Sequence, residues 1–223
     1  MSDEIAYLTQ TSSNVEMYRS AAGQHTIGTV QPPDTLWASG YELYDRLSTP
    51  YQKFLDTLTA TYAQPKFKET AEKSDFKLYS DPRGSPCNIG DELSAVHPVV
   101  RTNPVTDWKS VFAVGTHVQH VNDVTPLESK ALLEWFVKLI VDNHDLQVRR
   151  RWQNANDVAI WDNRSVYHTA TSDYEGLGER LGDRAVSIGE RPFLDVGSKS
   201  RQEALREWSK EGNESWEDGL TVS

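Results

Sequence analysis

The sequence predicts a mainly β domain with flanking helices, built as an antiparallel barrel or sandwich. Two observations lead there. Short apolar runs with two-residue alternation recur between residue 95 and residue 188, and clusters of Asn, Asp, Pro and Gly separate them. Helical signals, by contrast, stand before and between these runs, with clear start motifs at Ser39 and Thr125. Neither an internal repeat nor a second domain is visible.

Met1 to Gly23 is polar and without period, and reads as a poorly ordered or rewritten arm over 1–23. Gln24 to Val30 reads as one strand. Ser39-Gly40-Tyr41-Glu42 is a capping-box pattern opening a helix to about Leu47. Ser48-Thr49-Pro50 opens a second, with Phe54, Leu55 and Leu58 on one face, and both helices are expected outside the barrel. Tyr62 to Asp81 lacks a clean period and reads as loop with a short helix, its Lys66, Lys68, Lys73 and Lys77 forming a solvated face. Arg83 to Pro86 is a turn.

Ala95 to Thr102 and Lys109 to Val114 read as strands joined at Asn103-Pro104, with His97 as a packed histidine. In Gly115 to His120, His117 and His120 read as exposed loop histidines, with pocket lining or a replacement metal ligand as the functional alternatives. Thr125-Pro126-Leu127-Glu128 supplies an N-cap, a first-turn proline and a capping-box glutamate. Leu132, Leu133, Phe136, Leu139 and Ile140 then give a 3.6-residue face ending near Asp142-Asn143. Leu146 to Trp152 alternates as a strand with one wet face, its arginines serving packing and surface charge.

Val158 to Trp161 and Val166 to Ala170 flank Asp162-Asn163-Arg164 and read as a β-hairpin carrying His168. A further strand follows from Arg184 to Ile188. A histidine on one strand and arginines at the mouth of another can serve a metal and an acidic ligand at one end of a barrel. The domain is expected over 24–195, followed by a charged tail over 196–223 that is helical from Ser200 to Lys210.

The 223 residues suffice for one domain with a sizeable core. Thirty-three acidic against 23 basic residues give a formal charge of −10, which argues against a nucleic-acid partner. A single cysteine, Cys87, cannot form an internal disulfide. No apolar run approaches the roughly 20 residues of a membrane span. The start, MSDEIAYL, lacks the basic and apolar regions of a signal peptide. These features lead to the expectation of a cytoplasmic protein.

At Asp157 to Arg191 the reading becomes specific. The stretch WDNRSVYH, with arginines at 180 and 184, resembles the C-terminal signature of the iron(II)/2-oxoglutarate-dependent dioxygenases of the taurine dioxygenase (TauD/TfdA) family. Asp34-Thr35-Leu36-Trp37 is similar to that family's GGDTLW, and HPVVRTNP, residues 97–104, matches a further family stretch. The resemblance runs from about Asp34 to Asp195. It implies a double-stranded β-helix (jelly roll), abbreviated at its N-terminus. It places the distal iron-ligand histidine on His168, and the 2-oxoglutarate contacts on Arg184, Arg180 and Thr35. It also implies oxidation of a small organic acid or a natural-product intermediate.

The sequence departs from the family ahead of Thr35. The family's other two iron ligands form an H-x-D motif ahead of the GGDT segment, and no H-x-D precedes Thr35. Thr11-Ser12-Ser13-Asn14-Val15 echoes the surrounding pattern, which puts Ser12 and Asn14 in place of histidine and aspartate. Gln31-Pro32-Pro33 stands where the family has two glycines. Three readings follow: a dioxygenase completing its ligands from elsewhere, a pseudo-enzyme or binding partner of a complete homologue, and a metal-independent isomerase or cyclase in the old pocket. Missing N-terminal strands would leave an open sheet edge, so a homo-oligomer or a complex with a homologue is expected.

Overall fold

A computed structural model of the protein describes residues 13–17, 34–82, 89–90, 93–152, 157–171, 183–187 and 189–217; side chains are described for these except at 13–17, 183–184 and 211–217. Two three-stranded antiparallel sheets carry the strands of the expected site. In the first, β1 (Ser13–Met17) runs between β9 (Val158–Trp161) and β11 (Asp183–Ser187). In the second, β2 (Thr35–Ser39) runs between β8 (Gln147–Arg150) and β10 (Val166–Ala170). A third sheet places β3 (Thr59–Ala63) between β4 (Ser94–Pro98) and β7 (Val118–Val121). β5 (Val100–Thr102) and β6 (Lys109–Val111) form a two-stranded ribbon.

Strands thus appear close to the runs expected at 109–114, 146–152, 157–162, 165–170 and 184–188, the run expected over 95–102 is divided between β4 and β5 of different sheets, and the fold is mainly β with helices. The hairpin is a different matter. β9 and β10 do not pair: β9 joins β1, and β10 joins β2. The four-residue link turns the chain from one sheet to the other. The Asp162 carbonyl accepts from Ser165 N and Val166 N at 3.2 and 3.1 Å, while its carboxylate accepts from Arg164 N at 2.9 Å. Alternation detects a strand and turn residues detect a turn, but neither specifies which strand completes the ladder.

Two strands lie where the sequence reads as helix end or loop. β3 occupies Thr59–Ala63, and its neighbour β7 occupies Val118–Val121. Ala60, Tyr62, Val118 and Val121 are buried in the core; with only five and four residues, the strands give a weak period. α3 (Pro65–Lys73) supplies the short helix expected next, with only Ala71 buried. The strand expected over Gln24 to Val30 and the turn at Arg83 to Pro86 lie outside the described residues.

The helix starts follow their local chemistry. In α1 (Gly40–Asp45), Ser39 Oγ accepts from Glu42 N at 3.2 Å. Glu42 does not close the box. Its carboxylate pairs with Arg46 at 3.1 Å and with Arg201 at 2.6 Å, and these ion pairs outweigh the upward push of burial to hold its pKa below the usual range. Gly40 is a close approach: a Cβ there would meet the Ser165 carbonyl at 3.2 Å, and Gly40 N donates to that carbonyl at 2.7 Å. The start of α1 is therefore fastened to the turn that precedes β10.

In α2 (Thr49–Leu55), Leu55 is buried and Phe54 is exposed; Leu58 is buried beyond the helix end, so the apolar face expected of three residues is kept by two. α4 (Pro126–Val141) closes its capping box through Thr125 and Glu128, and packs Leu132 and Phe136 into the core beside β7. α5 (Arg201–Glu217) extends past the predicted Lys210. The core joins these helix faces to Val99, Val100, Val111, Phe112 and Ala113.

Candidate functional site

The site is built on the second sheet. Register sets His168 opposite Trp37, and Ala170 opposite Thr35. Partners in an antiparallel ladder share a face, and side chains alternate with a period of two. Thr35, Trp37 and His168 therefore lie on one face, while Leu36, Ala38 and Tyr167 lie on the other. Trp161, from the first sheet, meets this face. Its ring lies 4.9 Å from the His168 ring and 5.3 Å from the Trp37 ring, at interplanar angles of 55° and 66°. The two central sheets thus contact each other through aromatic rings around His168, as the faces of a jelly roll would.

Thr35 is 1% exposed, and its Oγ1 accepts from Trp152 Nε1 at 2.9 Å. A hydroxyl that accepts one bond keeps its own proton to donate. The strand end beside it is fixed by Thr171, whose Oγ1 accepts from Asp34 N at 3.0 Å and whose N donates to the Asp34 carbonyl at 3.0 Å. The indole Nε1 of Trp37 is buried on the same face and has no hydrogen-bond partner among the described residues. On the opposite face, the Tyr167 hydroxyl donates to the Val111 carbonyl, and burial raises its pKa, so it serves packing.

Of the four residues that the sequence assigns to the site, Thr35 and His168 share this face. Arg180 lies outside the described residues. Arg184 is described in backbone only, in β11, where it is the register partner of Glu16; Trp161 is the register partner of Asn14. The remaining histidines are accounted for as follows. His97 is buried against the rings of Tyr62 and Phe112, packed as expected. His117 shares a hydrogen bond with Gln64, and His120 is exposed on β7 opposite Thr61. His120 is therefore a strand residue, not the loop residue expected. His144 starts a short 3-10 turn, and His25 lies outside the described residues.

Among the described residues the donor set does not make up an iron(II) centre. Among the described residues there is no group of three His, Cys, Asp or Glu side chains that could hold a metal. His168 has indole rings as neighbours, and the strand facing Trp161 carries an amide residue at position 14. A 2-His-1-carboxylate centre needs three converging ligands.

An ion network that the sequence did not disclose lies beside the site. Arg101, 1% exposed, places its guanidinium 5.0 Å from the centre of the Phe112 ring and donates from Nη2 to Glu190 Oε1. Burial lowers the Arg101 pKa, and Glu190 opposes that shift. The other Glu190 oxygen accepts from Arg164 Nη1 at 3.4 Å, and Arg164 forks onto Asp162. Asn103 Nδ2 donates to Asp162 Oδ2 at 3.2 Å, and Trp161 Nε1 to Asn163 Oδ1 at 2.7 Å. The stretches HPVVRTNP and WDNR thus meet each other in space. At the rim, Arg149 pairs with Asp34 and Arg150 with Asp157, both half-exposed, in the surface role expected of them.

Residues 33–185 match the model of the taurine catabolism dioxygenase TauD, TfdA family. An alpha-ketoglutarate-dependent dioxygenase of Penicillium shearii is 49% identical over 195 residues, covering 87% of this chain and 52% of that protein. Another, of Neocamarosporium betae, is 59% identical over 171 residues, covering 77% and 49%. The crystal structure of a taurine dioxygenase from Burkholderia xenovorans superposes with a TM-score of 0.64 at 24% identity, over 88% of this chain and 59% of that one. The chain belongs to the TauD/TfdA family. It spans about half the length of the curated relatives it matches.

Proposed function

We propose that the chain keeps the keto-acid pocket of a 2-oxoglutarate-dependent dioxygenase and lacks a competent iron site. In this reading Thr35, Arg180 and Arg184 hold 2-oxoglutarate, and His168 is the remnant of the metal-ligand set. The observation that carries it is the convergence of Thr35, Trp37 and His168 on one face, against Trp161 of the facing sheet. By two-residue alternation, position 184 falls on the Trp161 side of its sheet. An arginine there can pair bidentately with a carboxylate, the Thr35 hydroxyl has a proton to donate to it, and the buried Trp37 N–H gains from a polar neighbour. The related fungal proteins carry alpha-ketoglutarate dependence in their names, which agrees with the keto-acid side of the reading.

The pocket's other occupant is a small organic acid or a natural-product intermediate, the compounds that a complete member of the family would oxidise. For the isolated chain the reading is a pseudo-enzyme: a keto-acid-binding protein without oxidation. Among the described residues, the donors around His168 favour this over a working dioxygenase; the alternative is a metal-independent isomerisation or cyclisation in the same pocket. Calorimetric titration with 2-oxoglutarate in the presence of a chelator tests the pocket. The wild-type chain binds, and Arg184→Ala lowers affinity by about 10- to 100-fold, as expected for loss of a charge-assisted bidentate pair. No heat from the wild type would remove the keto-acid reading.

A homodimer or a complex with a homologue fits the same picture. Val158 is 48% and Ile160 71% exposed on β9, an edge strand of the first sheet among the described residues. Apolar edge strands invite pairing with another chain. Sedimentation at rising concentration shows a dimer on this account; a monomer mass at every concentration excludes self-association.

A further inference from the structure

We infer that Glu190 is a positioning residue: by bridging Arg101 and Arg164, its carboxylate sets the spacing between the strand that carries His168 and the strand that carries Arg184. The inference rests on the keto-acid reading for its functional consequence. Its structural basis is independent of that reading.

β10 and β11 belong to different sheets. β10 takes its ladder from β2, and β11 from β1, so among the described residues no backbone ladder between them fixes their separation. A cross-sheet geometry of that kind must be held by side chains. Trp161 against His168 is one such contact, but an aromatic contact tolerates sliding. Trp37 against Trp161 is another of the same kind. Glu190 adds a directional one. It follows β11 by three residues, and Arg164 precedes β10 by two. One Glu190 oxygen accepts from Arg164 Nη1 at 3.4 Å, the other from Arg101 Nη2.

Both arginines are themselves fixed. Arg101 is anchored on β5 by burial and by the Phe112 ring. Arg164 is held in its turn by two 2.9 Å bonds from Nε and Nη2 to the Asp162 carboxylate. Asp162 is in turn held by Asn103 from the segment after β5. Two cations and two anions alternate along this path, so the network is balanced in charge. The exit of β11, the entry to β10 and the core ribbon are thus tied at one carboxylate. A partly buried network can serve stability alone. What sets this one apart is that it joins the exit of β11 to the entry of β10.

The test compares Glu190→Gln with Asp56→Asn in the full chain. Asp56 takes part in a separate, partly buried pair, with Lys109 at 2.8 Å and the Tyr44 hydroxyl at 3.1 Å, and so controls for lost stability. Thermal unfolding, affinity for 2-oxoglutarate and the imidazole proton–carbon signals of His168, assigned through His168→Gln, are read on each. Glu190→Gln weakens 2-oxoglutarate binding by about 10-fold, the scale of losing a supporting partner of a binding group, and moves the His168 signals. Asp56→Asn lowers the melting temperature and changes neither. Should Glu190→Gln fail to fold, Arg164→Lys, which keeps the charge and loses the fork, is read in its place.

An unmoved His168 signal overturns the inference, as does an unchanged affinity in a chain whose wild type binds. If the wild type binds no 2-oxoglutarate, the keto-acid reading falls, and the His168 signals alone decide: movement in Glu190→Gln but not in Asp56→Asn upholds the positioning role.

Discussion

Trp152→Ala lowers the unfolding free energy by about 3–5 kcal/mol, a large share of the roughly 5–15 kcal/mol that holds a domain folded. Trp152 is 1% exposed, the largest fully buried side chain among the described residues, and Arg150 lies over its ring at 6.0 Å. Removing it leaves a cavity beside β2 and takes the donor from Thr35 Oγ1. Trp152→Phe separates the two effects. The ring volume is largely kept while the N–H is lost, at about 1 kcal/mol for one neutral hydrogen bond. Urea unfolding of the three proteins checks this. A Trp152→Ala chain within about 1 kcal/mol of wild type would mean that the site face collapses without loss, contrary to a well-packed core.

The residue patterns carried the strands and the helix starts, because those depend on local rules. Ser39 and Thr125 both cap their helices, with the box closed only at Thr125, and the alternating runs from Ala95 to Ser187 are strands. Pairing was not legible. The link at Asp162 to Ser165 looks like a hairpin turn, yet it transfers the chain between sheets, because the ladder partners β1 and β2 lie far away in sequence. The roles inside the recognised motifs were also hidden. WDNR reads as a flag for the histidine after it. In the folded chain Asp162, Asn163 and Arg164 hold the turn, the Trp161 indole and Glu190. Glu190 and Arg101 become partners only in three dimensions. The signal that could have found them was the pairing of an arginine in one motif with an unexplained glutamate just past another.

The iron site decides what kind of protein this is. His168 is placed on the inner face, but three of the other five histidines that might complete a centre are committed elsewhere. His97 packs in the core, His117 bonds Gln64, and His120 is exposed on the third sheet. His144 sits in the 3-10 turn after α4. No H-x-D motif precedes Thr35 in the sequence. Loss of a single supporting partner costs about 10- to 100-fold in metal affinity, and loss of two direct ligands costs more. Among the described residues one imidazole remains, which on the proposed reading is too little for a tight centre.

The most direct measurement is anaerobic iron(II) titration of the isolated chain, followed by oxygen admission and quantification of succinate, with His168→Ala alongside. The account predicts weak, substoichiometric iron, succinate at the level of the protein-free control, and a His168→Ala chain that behaves as the wild type does apart from a modest drop in stability. One equivalent of bound iron with succinate release that His168→Ala abolishes would contradict it, and would mean that ligands converge on His168 from outside the residues described.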